Sequence, residues 1–402
     1  MPADPSRAVA TDAADAAAAA VDADELLSVA RALLAARSEN PGGSEDDAAA
    51  VAADVLAGID ADPSVVRSDA GRPSVVARIG GADRPALAWN GHLDTVPAGD
   101  HDAWTHPPFG GVVDGGRLVG RGAADMKGPI ASALAAGAAI RRTGIELGGS
   151  FVFHLAADEE VGGLHGTKVL LERGHIDQDA AIVGEPSELQ VGLAERGGCW
   201  LTLTAHGKAA HGSTPHLGVN AITSMAKLLL RLPDALPDIE HPLVGRPSVN
   251  AALIDGGTAP NVVPERCVVD VDRRVIPGET EPERIRADFV RVIDELRRDD
   301  PDVDIDVEVR EWTDAAEAPH DSVVADVARA ALARELGTPP ADRGFTGITD
   351  ARFYINDASI PTVILGPGSL RVAHTTDESI AVDELLVAAR AYARIAVGFL
   401  GT

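Results

Sequence analysis

Cysteine is nearly absent. The 402 residues hold two, Cys199 and Cys267, and neither belongs to a C-x-x-C pair. That excludes a disulfide scaffold, a thiolate zinc site and a dithiol redox motif. Isolated cysteines of this kind read as small buried hydrophobes, and no chemistry is assigned to them. Lysine is almost as rare, four residues against 31 arginines, and aromatics make up only 3%. No stretch approaches the roughly 18 uninterrupted apolar residues of a membrane-spanning helix. Met1 to Asp24 lacks the basic start and apolar core of a signal peptide, so a cytoplasmic protein is expected. Positive charge is outnumbered, 35 basic residues against 62 acidic, for a net charge of −27. Nucleic acids and anionic membranes both select basic faces, so neither is an expected partner.

What is abundant is acid: 40 Asp and 22 Glu. Such a surface repels itself at low ionic strength and is relieved by screening. It reads as halophilic, suited to a salt-rich cytoplasm. The plainer alternative is a GC-rich coding sequence, since Ala, Asp, Gly and Arg share such codons. Hydrophobic residues reach 45%, ordinary for a globular chain, and the length predicts two or three domains.

Helices are expected at about 23–36, with Asp24 as N-cap, and at about 45–58, with Ser44 as N-cap. Short apolar runs at Ser74–Ile79, Ala86–Trp89, Phe151–Ala156 and Ala180–Val183 read as buried strands. Helix-like stretches at Ile130–Arg142 and Gly166–Arg173 lie between them. Strands alternating with helices predict an α/β layered sheet. The pattern changes near residue 190. Strands at Leu189–Glu195 and Trp200–Thr204 precede a helix at Asn220–Leu232. Strands at Asn250–Ile254 and Cys267–Arg273, a helix at about 281–298 and a strand at Val303–Val309 follow. That β-α-β-β-α-β order is ferredoxin-like. The α/β pattern then resumes with helix Ser322–Leu336, strand Thr362–Leu365 and helix Val382–Phe399. The expected domains are a polar extension over 1–20, an α/β domain over 21–192 and 313–402, and an inserted domain over 193–312.

Several expected strand ends carry a possible ligand. Asn90-Gly91-His92-Leu93-Asp94 follows one strand. There His92 can hold a metal while Asp94 fixes its other ring nitrogen. Asp158-Glu159-Glu160 and Glu185 follow two more, and His374 comes after the Gly366-Pro367-Gly368 turn. Acids crowded together repel one another unless a cation joins them, although a solvated acidic loop is the blander reading of each motif alone. Gly120-Arg121-Gly122 lacks the surroundings of a dinucleotide loop, but it presents Asp125. No G-x-S-x-G elbow occurs, which argues against a serine hydrolase. Two histidines with carboxylates suit zinc, one carboxylate bridging two ions.

In order and spacing these motifs, together with Asp125-Met126-Lys127-Gly128 and Gly184-Glu185-Pro186, resemble a known family. It is the dinuclear zinc amidohydrolase and peptidase family of acetylornithine deacetylase, succinyl-diaminopimelate desuccinylase, aminoacylase and carboxypeptidase G. The resemblance runs from about residue 23 to 400. It implies a zinc-peptidase-like α/β catalytic domain, a central mixed sheet flanked by helices, with an inserted ferredoxin-like α+β lid and dimerisation domain. It implies two Zn²⁺ per subunit, with Co²⁺ or Mn²⁺ as possible substitutes. His92 and Glu185 would bind one ion, Glu160 and His374 the other, with Asp125 between them. Glu159 would be the general base, Asp94 the partner of His92, and the Asp125–Met126 peptide cis.

The same resemblance points to His211, in Ala210-His211-Gly212-Ser213, as an oxyanion-binding residue reaching a partner subunit's site. It points to Arg273 and Asn261 for a substrate carboxylate, and to Thr346 and Gly347 as a substrate loop. The expected enzyme is a homodimeric hydrolase of N-acyl amino acids in amino-acid biosynthesis. A dipeptidase or carboxypeptidase is the rival within the family, and an inactive binding relative the rival outside it.

Overall fold

The computed structural model describes residues 5–81 and 83–402, with side chains from Asp12 onward. Among these residues no helix is long and apolar enough to cross a membrane. In chain order the main strands are β1 (Ser64–Arg67), β2 (Pro73–Ile79), β3 (Ala86–His92), β4 (Ser150–Ala156), β5 (Ala180–Val183) and β6 (Val191–Glu195). They continue as β7 (Gly197–His206), β8 (Ser248–Gly256), β9 (Arg266–Val275), β10 (Asp304–Thr313) and β11 (Thr362–Ile364). The helices used below are α1 (Pro5–Ala19), α2 (Ala23–Ala35), α3 (Asp46–Gly58), α4 (Lys127–Thr143), α5 (Thr167–Glu172), α6 (Ala221–Leu229), α7 (Pro282–Asp299), α8 (Val323–Leu336) and α9 (Val382–Leu400).

The chain divides into two compact units, 1–193 with 318–343 and 349–402, and 194–317 with 344–348. In the first, the sheet runs β1-β2-β4-β3-β5-β11-β6. Its centre is parallel: β4 with β3, β3 with β5, and β5 with β11, while β2 joins β4 antiparallel. The parallel strands are buried throughout, which explains why their sequences read as unbroken apolar runs rather than alternations. Register pairs His92 with Ala156 and Asn90 with Val183. The carboxyl ends of β3, β4 and β5 therefore reach one edge of the sheet.

Helix α4 is built of small residues and is buried from Gly128 to Ile140. Gly137 lets it lie on the sheet, since a Cβ there would meet the Phe153 ring at 2.9 Å. Gly144, at φ 68°, ends it in a left-handed cap. Helix α2 is capped by Asp22, which accepts from the amides of Asp24 and Glu25, both at 3.0 Å. The expected cap, Asp24, is already inside the first turn. Where the sequence suggests a polar extension over 1–20, α1 is a packed helix with Ala14, Ala17 and Ala18 buried. Its face rests on α9, and Asp15 pairs with Arg394 and, at 2.9 Å, with Arg334.

The second unit is an antiparallel sheet of order β8-β9-β7-β10, with α6 and α7 packed on it. Order and connections are those of the ferredoxin-like sandwich. Its core joins Leu201, Leu203, Val269 and Val271 of the strands to Phe289, Val292 and Ile293 of α7. Gly344–Ile348, with Thr346 and Gly347, groups with this unit although it lies far along the chain.

Candidate metal centre and active site

The parallel strands deliver the acids and one histidine. His92 ends β3 and Asp94 lies two residues on. Asp158–Glu160 follow β4, and Glu185 follows β5. The chain leaves β11 through Gly366–Gly368 and returns with His374, at φ 61°. Asp125 comes from the loop ahead of α4, and its peptide to Met126 is cis.

These side chains converge. His92 Nε2 lies 3.0 Å from Asp125 Oδ1 and 3.7 Å from Glu185 Oε1. His374 Nε2 lies 3.3 Å from Asp125 Oδ2 and 3.1 Å from Glu160 Oε2. Asp125 thus turns one carboxylate oxygen to each histidine. Ligand atoms of His92, Asp125 and Glu160 lie within 4.8 Å of one another, as do those of His92, Glu159 and Glu185. His92 is buried and His374 half exposed, so the cluster opens on the His374 side.

Asp94 does more than face His92. Its main-chain oxygen lies 2.9 Å from His92 Nδ1. Its carboxylate accepts from the amides of Glu159 (3.1 Å) and Glu160 (3.2 Å) and from Asn40 Nδ2 (2.9 Å). One buried carboxylate therefore ties the end of β3 to the acids after β4.

The electrostatics are those of a site short of positive charge. Burial pushes the carboxyl of Glu159 well above its usual range, and Asp350, Glu160 and Asp125 push it further. Glu185 is raised by burial and then by Asp125 and Glu159. Burial opposes charge on His92, yet its hydrogen bonds to Asp125 and Asp94 outweigh it and raise the ring well above the ordinary value. Asp125 and Glu160 bring His374 to about 10. Each histidine is held as a cation because carboxylates surround it. Two imidazoles with the carboxylates of Asp125, Glu160 and Glu185 form a donor set that fits hard or borderline divalent ions, which would supply the missing charge.

Residues 88–397 match peptidase family M20/M25/M40. The chain belongs to that family. It is 35% identical over 359 residues to an acetylornithine deacetylase of Myxococcus xanthus, covering 86% of this chain and 89% of that one. It is 32% identical over 338 residues to a succinyl-diaminopimelate desuccinylase of Paracoccus denitrificans, covering 81% and 86%. Among solved structures, a Bacillus subtilis dinuclear metal-binding peptidase of the M20 family superposes with a TM-score of 0.70 at 19% identity, covering 94% of this chain and 99% of that one. This M20 protein is accordingly a hydrolase with the family's α/β catalytic fold and inserted domain.

The remaining expected site residues lie in the inserted unit. His211 and Asn261 sit on adjoining loops: Gly212 N donates to Asn261 O at 2.8 Å, and His211 bridges to Val262. Both side chains are exposed. Thr346 is exposed and Gly347 half-buried. Arg273 is different. Strand alternation turns it inward, with no exposed surface, where Glu279 Oε1 holds it at 2.5 Å. Held so, it is not available to a substrate carboxylate. Arg274, next along β9, faces the other side and is partly exposed.

Glu378 is not among the expected site residues. It is buried, accepts from the amides of Ala124 (2.9 Å) and Asp125 (3.1 Å), and pairs with Arg121. It thereby fixes the loop that presents Asp125. Its only signal was position, four residues after His374. Lys127, present in the Asp125-Met126-Lys127-Gly128 motif without an expected role, is buried and donates to Ala36 O at 2.6 Å, and burial lowers its amine to about 7.

Proposed function

We propose that this M20 protein hydrolyses the amide bond of a small N-acyl amino acid, with Glu159 as general base beside two divalent ions. The observation that carries the reading is Asp125, one oxygen toward His92 and the other toward His374, with Glu159, Glu160 and Glu185 gathered around. His92 and Glu185 would hold one ion, and Glu160 and His374 the other, with Asp125 shared. Zinc is the ion proposed, cobalt or manganese substituting. Such ions supply Lewis acidity toward a carbonyl oxygen and a water acidified toward neutrality.

The chain's own residues do the rest. Glu159 is half-buried beside His92 and Glu185, and its carboxylate would take a proton from water and later give it to the leaving amine. Asp94 holds the Glu159 amide and the His92 ring in one arrangement. His211 Nδ1 accepts from the Ser213 amide at 3.1 Å, so Nε2 is the ring nitrogen that would donate to a developing oxyanion. We propose that His211 serves the site of a second subunit. Asn261, Thr346 and Gly347 are proposed substrate contacts, with Arg274 taking the carboxylate role expected of Arg273. An Arg fork suits a carboxylate, and of the neighbouring pair Arg274 is the partly exposed one, with Asp272 at 3.0 Å from its Nε.

A homodimer through the inserted unit is supported by β8, an edge strand with Leu253 67% and Ile254 61% exposed. Long apolar edges of this kind are normally paired. Adaptation to salt, resting on the acidic composition, and a cytoplasmic setting complete the reading.

The names of the relatives set the test. Amine release from N-acetylornithine, N-succinyl-diaminopimelate, other N-acyl amino acids and dipeptides is measured at molar KCl with Zn²⁺ or Co²⁺. Turnover of an acyl amino acid is expected. Cleavage of dipeptides alone would replace the deacylase reading with a peptidase one at the same centre. No turnover in folded, metal-loaded protein would leave a binding relative.

A further inference from the structure

The turn that carries Glu159 and Glu160 is an awkward piece of backbone. Asp158, Gly162 and Gly163 all have positive φ, at 68°, 112° and 68°. Two internal bonds close it, Gly162 N to Glu159 O at 2.8 Å and Gly163 N to Asp158 O at 2.7 Å. A left-handed non-glycine residue persists only where its surroundings hold it. Asp94 holds the near side, through the amides of Glu159 and Glu160.

The far side is held by Arg352. It is 7% exposed. One guanidinium nitrogen donates to Gly162 O at 2.7 Å and the other to Thr349 O at 2.5 Å. The same group lies over the Phe353 ring, 4.3 Å from its centre. Both hydrogen bonds go to main-chain carbonyls, and the Asp350 carboxylate is close enough to be stabilised by the same charge. The neighbouring residues press on the same turn. A Cβ at Gly163 would stand 2.6 Å from Asp350 Oδ1 and 3.0 Å from the Phe353 ring. Asp350 in turn accepts from Thr167 at the start of α5 at 2.6 Å.

We propose that Arg352 is a positioning residue for the reaction. It spans Gly162 and Thr349 and so fixes the turn that aims the Glu159 carboxylate. The inference rests on Glu159 being the base. A shift of the base by about an ångström costs on the order of a hundredfold in rate. Losing this anchor should therefore cost turnover more than substrate binding.

The test compares Arg352→Ala, Arg352→Gln and Arg352→Lys with Glu159→Gln and with Arg286→Ala, an exposed control. Arg352→Ala should lower kcat by about 10- to 100-fold with KM unchanged, the rate being expressed per metal-loaded site because Glu160 shares the turn. Guanidinium ion at tens of millimolar should restore part of that loss, and should not help the control or Glu159→Gln. Hydrogen exchange should quicken in the peptide covering 158–166 of Arg352→Ala and slow again with guanidinium. Arg352→Lys should fall between, because one ammonium cannot span both carbonyls in the same geometry. If the alanine variant does not fold, the glutamine variant carries the same readings. Wild-type kcat together with wild-type exchange over 158–166 overturns the proposal. So does a loss of kcat that guanidinium leaves untouched while exchange over 158–166 is unchanged. A fully active Glu159→Gln variant would instead remove the base assignment, and the exchange reading would still decide the anchor.

Discussion

At the scale of the residue, the centre is a problem of uncompensated charge. Glu159 and Glu185 are raised by burial, and both histidines are raised by the carboxylates around them. The sequence made the ligand types and their order visible, because His92, the acids Asp158–Glu160 and Glu185 stand just past apolar runs, while Asp125 and His374 follow glycine-rich turns. It hid the supports. Glu378 and Arg352 act through backbone groups, and a bond to a backbone amide or carbonyl leaves no pattern in side-chain identity. Arg273 shows the opposite failure, since neighbouring arginines look alike in sequence and only strand alternation tells inward from outward. His154, buried in β4, has its Nδ1 2.7 Å from the Tyr354 hydroxyl. Burial, helped by His175, lowers it to about 3. An unfolded histidine titrates near ~6.5. Between those values the unfolded chain binds a proton that the folded chain refuses. The stability His154 confers is therefore full above about pH 6.5 and lost as pH falls toward 3, by about 1.4 kcal/mol per unit. Denaturant melts of wild type and His154→Asn across pH 4–7 should show a shallower acid slope in the variant; equal slopes would contradict the buried neutral ring.

At the scale of the element, the parallel strands and small-residue helices were legible from apolar runs and glycine stops. The first helix was not. Its alanines carry almost no amphipathic signal, so nothing in the sequence separated a docked helix from a solvated tail. Packing on α9 and the Asp15 pairs with Arg394 and Arg334 decide it. Deleting residues 1–20 should therefore lower the melting temperature clearly rather than leave it unchanged, as loss of a loose extension would. In the inserted unit, Phe289 is fully buried between α7 and the sheet. Phe289→Ala should cost about 3–5 kcal/mol by chemical denaturation, the ordinary price of a large core cavity.

For the whole molecule, the dominant fact is the charge of −27. Many acids are paired locally with arginine, as in Arg329 with Asp326 and Asp342, both at 2.8 Å, but the excess has no counter-ion in the chain. The screening length shrinks from about 10 Å at 0.1 M salt to about 3 Å at 1 M. Melting temperature should rise steadily with KCl over that range; a flat or falling curve would assign the composition to codon usage instead.

Glu159 as the base of a two-ion amide hydrolase is tested most directly by steady-state kinetics of Glu159→Gln on the best acyl amino acid, with bound metal counted in the same preparation. The account predicts kcat reduced by about 10²- to 10⁴-fold, with metal content and fold retained. A variant turning over within a fewfold of wild type, with the same metal content, would contradict it.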